Sequence, residues 1–149
     1  MIRLPAEVTK ERKPKDIPIN KHVKSVLDGV LRTLMHDFVF MYRGKPIIHK
    51  QGFKFILRNT CEKAEIPYGA KTPNGIIFHD FRRTVKTNML NAGVDKVHRD
   101  LILGHSLKGM DVHYMAPNDD SLKEAMDKYT RWLDEQIAEA SKGLVKKTG

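Results

Sequence analysis

Four side chains in the second half of the chain have the chemistry to act on a phosphate ester. His79, Arg82, His105 and Tyr114 fall within 36 residues, and nine positions separate His105 from Tyr114. A phenol can act as a covalent nucleophile once its proton is removed, and an arginine can bind two non-bridging oxygens of one phosphate. Because phosphoryl transfer depends mainly on positioning and charge neutralisation, this set predicts a reaction centre.

A predicted helix places the first pair of these residues on one surface. The sequence favours a helix over about residues 79–92, and positions i and i+3 of a helix share a face. His79 and Arg82 can therefore point at the same phosphate. Arg83 points roughly 100° away, and we interpret it as a contact to a phosphate or as a solvated charge. Asp80 is expected to cap or orient rather than to react.

The remaining pattern predicts an α+β chain that is mainly helical, with a small N-terminal antiparallel β-hairpin followed by a helical bundle. Alternating apolar residues and a basic turn predict the hairpin within residues 1–20. Apolar spacing and capping residues predict helices over about residues 21–35, 50–64, 79–92, 95–103 and 121–140. Residues 38–40 are predicted to be extended, 43–46 to form a turn, 67–75 a loop, and 107–115 a short turn or helix.

Several classes of protein are disfavoured by composition. The spacing of the histidines matches no common metal-binding pattern, so no metal is predicted. Cys61 is the single cysteine, is interpreted as a core residue, and allows no disulfide within the chain. The sequence has no apolar run of about 18 residues and no signal-peptide pattern, which predicts a cytoplasmic protein without a membrane span.

The charge distribution indicates a polyanionic partner for most of the chain. The net charge is +9. Residues 1–117 contain 21 Lys/Arg against 11 Asp/Glu, whereas residues 118–141 contain three basic and seven acidic residues. A phosphate backbone would attract the first segment and repel the second. A polyanion such as a nucleic acid is therefore the partner that the charge predicts for residues 1–117.

The order of these motifs resembles the catalytic half of a tyrosine recombinase of the phage integrase family. The resemblance rests on Phe78–Thr84, Ala92–Val94, Leu101–Ser106 and Tyr114, with the nine-residue gap before the tyrosine. Leu4–Ile19 is similar to the β-hairpin of that family and its lysine-bearing turn. The resemblance covers about residues 1–137 and implies the fold of the integrase catalytic core, in which DNA is broken and rejoined. It also implies that the partner is double-stranded DNA.

The resemblance also implies a role for each residue, with no cofactor. Tyr114 would attack the scissile phosphate and form a 3′-phosphotyrosyl bond, and Arg82 would bind the non-bridging oxygens. His79 would accept or share the proton of the nucleophile, and His105 would donate a hydrogen bond to the phosphate. Lys10 would protonate the departing 5′-oxygen. The reaction as a whole would require neither ATP nor a metal.

Other basic residues receive secondary roles. Lys13 is a weaker candidate for the acid, and Arg83, Lys13 and Lys86 are predicted DNA contacts. The family uses a further arginine in a helix before the hairpin lysine, and this chain has no residue that matches it. We therefore expect the chain to be a recombinase fragment that is weakly active or inactive alone. Whether Met1 is the natural start stays open, as does an origin in a virus, a mobile element or a chromosome.

The resemblance also suggests how the chain is organised. Residues 1–141 would form a partial integrase catalytic domain, with a hairpin over 1–20, a helical core over 21–117 and an amphipathic C-terminal helix over 118–141. Residues 142–149 would form a flexible basic tail. The C-terminal helix carries an apolar stripe that either packs on its own core or docks on other recombinase subunits through Leu122, Met126, Tyr129, Leu133 and Ile137.

Two other functions stay open from the sequence. Residues 80–103 also resemble two helices around a turn at Gly93, as in a non-catalytic helix-turn-helix DNA-binding module. A structural fragment that dimerises through its last helix is the third reading. The spacing of His105 and Tyr114 favours the recombinase, because a binding module has no use for that pair.

Overall fold

The computed structural model describes residues 1–30, 38–42, 45–46, 50–105 and 118–145, and it confirms the predicted α+β class with mainly helical content. The strands are β1 (Ile2–Leu4), β2 (Lys15–Ile17), β3 (Met41–Tyr42) and β4 (Lys45–Pro46). The helices are α1 (Lys21–Asp28), α2 (Lys50–Lys63), α3 (Phe78–Asn91), α4 (Lys96–Ile102) and α5 (Asp119–Val145). No helix in these ranges is both long and apolar enough to span a membrane.

The chain divides into two compact units that are described separately. The first unit, the terminal unit, comprises Met1–Ser25 and Val85–Gly149. The second, the central unit, comprises Val26–Thr84. The residues of α3 before Val85 belong to the central unit, and those from Val85 onward belong to the terminal unit.

The predicted N-terminal hairpin is present in the terminal unit. Strands β1 and β2 pair antiparallel, with Ile2 opposite Ile17 and Leu4 opposite Lys15. The connection is long and contains a 3₁₀ turn over Ala6–Val8. Its end is closed by Thr9, whose hydroxyl donates to the carbonyl of Lys13 at 2.7 Å and accepts from its N–H at 3.0 Å. These bonds fix the basic turn without help from a longer strand.

Helix α1 begins where the sequence predicted. The side chain of Asn20 accepts a hydrogen bond from the N–H of Val23 at 2.8 Å, which satisfies one of the open donors of the first turn. The helix ends at Asp28, whereas the sequence predicted it to continue to about residue 35. Residues 31–37 lie outside the described part of the chain.

The core of the terminal unit joins α3, α4 and α5. Its buried side chains are Met89, Val94, Ile102, Leu122, Met126 and Tyr129. Met89 is fully buried, and the single tryptophan, Trp132, packs against the cluster from the side. Burial of an apolar side chain of this size contributes about 1.5–3 kcal/mol. The cluster therefore holds the C-terminal helix against its own chain.

Two local signals set the geometry between α3 and α4. Gly93 adopts φ +72°, the left-handed conformation that commonly ends a helix and that residues with a Cβ avoid. Asp95 then caps α4, because its carboxylate accepts from the N–H groups of Val97 at 2.9 Å and His98 at 3.1 Å. Burial opposes ionisation of Asp95, but these bonds and the His98 ring outweigh it and lower its pKa.

The central unit contains a small hairpin that the sequence did not reveal. Residues 38–40, predicted to be extended, lie outside any strand, and β3 pairs antiparallel with β4 just after them. Each strand has two residues, too few for an alternating pattern to be visible. Helix α2 agrees with the prediction, and Cys61 on it is buried, as expected.

The C-terminal helix α5 is longer than predicted and packs on its own chain. It continues to Val145, past the expected end near Ala140, because one glycine within a helix costs only about 1 kcal/mol. Leu122, Met126 and Tyr129 are buried in the terminal unit. Contact with another subunit through these three residues would require α5 to leave this core.

Candidate functional site

The first turn of α3 presents two of the predicted site residues. Asp80 fixes the start of this helix, since its carboxylate accepts from the N–H of Ile77 at 2.9 Å. A side chain at the third helical position that reaches back to the capping residue is half of a capping box. Asp80 is thus an orienting residue, as expected, and His79 and Arg82 follow on the exposed side of the same turn.

His79 and Arg82 line one surface cavity of the central unit. The cavity has a volume of about 650 Å³ and is lined by Lys54, Tyr68, Gly69, Ala70, Ile77, Phe78, His79 and Arg82. The described part of the chain offers the His79 ring no hydrogen-bond partner. None of these residues therefore occupies either nitrogen of the ring. The spacing of three residues does bring this pair together.

The sequence did not reveal that Lys54 and Tyr68 belong to this cavity. Lys54 comes from α2, and Tyr68 comes from the loop between α2 and α3. The loop is closely packed: a Cβ on Gly75 would lie 2.3 Å from the carbonyl oxygen of Gly69. The close approach of Gly75 to Gly69 constrains the loop that carries Tyr68. The glycines of this loop were the feature of the sequence that could have indicated its close packing.

Arg83 is exposed and paired with its own helix. Its guanidinium lies 3.3 Å from the carboxylate of Asp80, and its side chain is 74 % exposed. Arg83 is not among the residues that line the cavity of His79 and Arg82. An exposed pair of this kind contributes little to stability, so Arg83 remains accessible to a solvent-side anion.

His105 lies in the terminal unit, directly after the glycine that follows α4. Gly104 adopts φ +72°, and the N–H of His105 donates to the carbonyl of Asp100 at 2.7 Å. The imidazole Nδ1 of His105 lies 3.4 Å from the carboxylate of Asp100. Its side chain is 42 % exposed. The turn thus holds the ring through both its backbone and its side chain.

Asp100 is surrounded by cations. Lys86 on α3 contacts its carboxylate at 3.0 Å, and Lys96 contacts the second oxygen at 3.4 Å. Burial alone would raise the pKa of Asp100, but the hydrogen bonds from Lys86 and then His105, with the positive charge of Lys86, lower it below the ordinary value. Lys86, a predicted DNA contact, is therefore engaged in an ion pair within the chain.

The basic turn of the hairpin belongs to the same unit as His105. Lys10 is exposed, and the described residues include no partner for its ammonium group. Lys15, which the sequence did not single out, donates to the carbonyl of Gly104 and pairs with Glu11 at 2.9 Å. The hairpin is thereby attached to the residue before His105. Tyr114 lies outside the described residues.

The described residues contain no group of three or more His, Cys, Asp or Glu side chains arranged to hold a metal ion.

The cavity of His79 and Arg82 and the turn that carries His105 differ in the chemistry that they can support. The cavity presents Lys54, Arg82 and the His79 ring to an anion, and the turn after α4 presents the His105 ring, which is 42 % exposed and backed by the carboxylate of Asp100.

Comparison with known proteins identifies the family. The model of the phage integrase family matches residues 1–121, which is most of the chain. The chain therefore belongs to the phage integrase family, the tyrosine recombinases that recombine DNA, and the family resemblance seen in the sequence is confirmed. Membership implies DNA binding and assembly into multimers. No curated protein and no solved structure matches the chain.

The matched range contains all eight predicted site residues, from Lys10 to Tyr114. It ends in the first turn of α5, so the rest of that helix lies beyond the match. The family is thus assigned from the segment that carries the candidate chemistry, and the C-terminal helix has to be understood from its own contacts.

Proposed function

We propose that this chain carries most of the strand-transfer site of a tyrosine recombinase. The observation that supports the proposal best is the cavity shared by His79 and Arg82, with Lys54 on its wall. A cavity lined by two basic side chains and an imidazole is suited to a phosphodiester. Site-specific recombination by a covalent DNA–protein intermediate is the reaction that uses these groups.

The reaction consists of two transesterification steps, and each step forms one phosphoester bond and breaks another. The phenolate oxygen of Tyr114 attacks the scissile phosphorus, a P–O bond to the tyrosine forms, and the bond to the 5′-oxygen breaks. His79 takes or shares the phenol proton, and Lys10 gives a proton to the departing oxygen. A 5′-hydroxyl from another strand then reverses the step. The energy of the bond is retained, so neither ATP nor a metal is used.

Charge neutralisation is the task of the cavity. Negative charge on the non-bridging oxygens is stabilised when fixed cations are already in place, because no reorganisation is then required. Arg82 is suited to this task since its planar fork can bind both oxygens at once. Lys54 adds a second positive charge to the same cavity. His105 contributes a hydrogen bond to the phosphate.

We propose that this 149-residue chain is weakly active or inactive on its own. Its residues that match the family pattern include one phosphate-binding arginine, Arg82, where the family uses two. One missing donor of this kind lowers rates by about 10² to 10³. Substantial DNA cleavage by the isolated chain would show that Arg82 and Lys54 suffice.

Contacts to the DNA backbone are proposed for Lys13, Arg83 and Lys86. A variant that lacks one phosphate-binding lysine releases one fewer counterion when it binds DNA. Lys13→Gln is therefore expected to make the negative slope of log K against log salt shallower by about 0.9. Fluorescence anisotropy with a duplex at several salt concentrations measures the slope. The matched control is Lys123→Gln, on the acidic helix and paired with Asp120 at 2.9 Å, which should leave the slope unchanged. Equal slopes for Lys13→Gln and the native chain would remove Lys13 from the interface.

The nucleophile is tested with a suicide DNA substrate that traps the covalent complex. The natural full-length protein is incubated with a nicked cognate site, and the adduct is separated under denaturing conditions. We expect Tyr114→Phe to give no adduct and Tyr129→Phe to give the native amount, because Tyr129 is buried in the core. An adduct of native yield in Tyr114→Phe would exclude Tyr114 as the nucleophile.

A non-catalytic DNA-binding module is the second candidate function. It is favoured by the arrangement of α3 and α4 around the Gly93 turn, which has the order of a helix-turn-helix motif. In that case Tyr114→Phe would leave every measurable function unchanged, and sequence-specific binding would account for the whole activity. The adduct experiment separates the two candidates.

A further inference from the structure

The contact between His105 and Asp100 has no counterpart at His79. Within the described residues the His79 ring has no hydrogen-bond partner, whereas His105 is held by a carboxylate whose side chain is only 13 % exposed. The Nδ1 to Oδ1 distance is 3.4 Å, and the backbone bond from His105 to the same residue is 2.7 Å. Asp100 therefore holds both the ring and the chain of His105.

We propose that Asp100 is a positioning residue that holds the proton of His105 on Nδ1 and leaves Nε2 to face the DNA phosphate. The proposal rests on the function given above, in which His105 contacts the phosphate. The tautomer of a histidine is set by the hydrogen bond that its other nitrogen makes. An ionised carboxylate accepts hydrogen bonds but cannot donate them, so the nitrogen that faces it must carry the proton.

The surroundings of Asp100 keep its carboxylate ionised and in place. Lys86 reaches it from α3, and Lys96 reaches it from the first turn of α4. These contacts outweigh burial and lower the pKa of Asp100. Two ammonium groups around one carboxylate also leave the cluster with a net positive charge. An approaching phosphate is therefore not repelled by Asp100.

The arrangement determines what Nε2 can do. With Nδ1–H directed at Asp100, Nε2 accepts a proton in the neutral ring and donates one only in the imidazolium form. Donation to a non-bridging oxygen thus requires both ring nitrogens to be protonated. Lys15, a cation of the hairpin that contacts the carbonyl of Gly104, is also paired with Glu11.

The tautomer can be measured directly in this chain, without DNA. The protein is labelled with ¹⁵N-histidine, and long-range ¹H–¹⁵N correlations are recorded at a pH where the ring is neutral. For native His105 we expect a pyrrole-type Nδ1 and a pyridine-type Nε2. Asp100→Leu removes the acceptor and should transfer the proton to Nε2. Asp100→Asn, whose amide can donate as well as accept, no longer requires a proton on Nδ1 and should weaken the native preference.

Two controls separate positioning from simple stability. Lys86→Met and Lys96→Met remove the ion pairs of Asp100 but leave its contact with His105, so both should keep the native tautomer. A pyridine-type Nδ1 in the native chain would overturn the proposal. An unchanged pattern in folded Asp100→Leu would do the same, and the native measurement decides the matter even where that variant does not fold.

A kinetic cycle tests the consequence for DNA. In the natural full-length protein, Asp100→Leu is expected to lower the rate of adduct formation by about 10-fold to 100-fold. In a His105→Ala background it should cause no further loss, because a residue that acts through His105 has nothing left to position. An equal loss in both backgrounds would contradict the proposal. Failure of the tautomer experiment leaves the strand-transfer function intact, and failure of the Tyr114 experiment leaves the tautomer result intact.

Discussion

Arg82→Ala is expected to lower the rate of covalent adduct formation by about 10² to 10³ at saturating DNA. Arg82 lines the same cavity as His79, and its guanidinium is the group there that can bind two non-bridging oxygens. Its removal leaves Lys54 as the one Lys or Arg among the described residues that line the cavity. The charge that builds in the transition state then has to be stabilised largely by water. Single-turnover kinetics on the suicide substrate, with the natural full-length protein, gives the rate.

Two further variants show whether the contribution of Arg82 to the rate depends on the geometry of its guanidinium or on its charge alone. Arg82→Lys keeps the charge but loses the planar fork, so its rate should lie between the native and the alanine values. Arg131→Ala is the matched control, because Arg131 is exposed on α5, within the acidic segment. It should react at the native rate. A rate within threefold of native for Arg82→Ala would contradict the role given to the cavity.

Met89→Ala is expected to reduce the free energy of unfolding of the terminal unit by about 2–5 kcal/mol. Met89 is fully buried at the end of α3, in the cluster that joins this helix to α4 and α5. Truncation removes packing contacts and leaves a cavity that the surrounding helices can only partly fill. The loss should appear as a lower midpoint in urea.

The chain offers a reporter and a control for this measurement. Trp132 is the only tryptophan and packs against the cluster, so its fluorescence follows this unit rather than the central one. Leu90→Ala alters the next residue on the same helix, but Leu90 is 56 % exposed. Its effect should stay within about 0.5 kcal/mol. Equal losses for the two variants would show that this cluster does not stabilise the unit.

Features with a local cause were predictable from the sequence. Asn20 and Asp95 cap α1 and α4 close to the starts predicted for these helices, and Gly93 follows the predicted end of α3 with a positive φ. Each of these features depends on a few neighbouring residues. The antiparallel hairpin at the N-terminus has the same character, since alternation and a basic turn lie within 20 residues.

Contacts between distant segments were not predictable in the same way. Lys15 and Gly104 are 89 positions apart, and no pattern in either segment indicates the hydrogen bond between them. Lys86 carried the expected charge, but its pairing with Asp100 depends on how α3 meets α4. The position of Lys54 on the wall of the cavity likewise depends on tertiary packing. Side-chain type thus predicted the chemistry, whereas tertiary packing determined the partners.

The C-terminal helix shows how one pattern can permit two structures. An apolar stripe at helical spacing allows packing either on the same chain or on a neighbouring subunit. Here Leu122, Met126 and Tyr129 are buried in their own unit, whereas Ile137 is 51 % exposed. The exposed end of α5, beyond the core contacts, is the part of the stripe that remains accessible to another subunit.

The central claim is that Tyr114 becomes covalently linked to DNA at a phosphate bound by Arg82, after His79 has taken or shared the phenol proton. The most direct measurement is mass spectrometry of the protein–DNA adduct after digestion with protease and nuclease. The account predicts one modified peptide, which contains Tyr114 and a nucleotide joined through its 3′-phosphate. A nucleotide on any other residue, or a linkage through a 5′-phosphate, would contradict it.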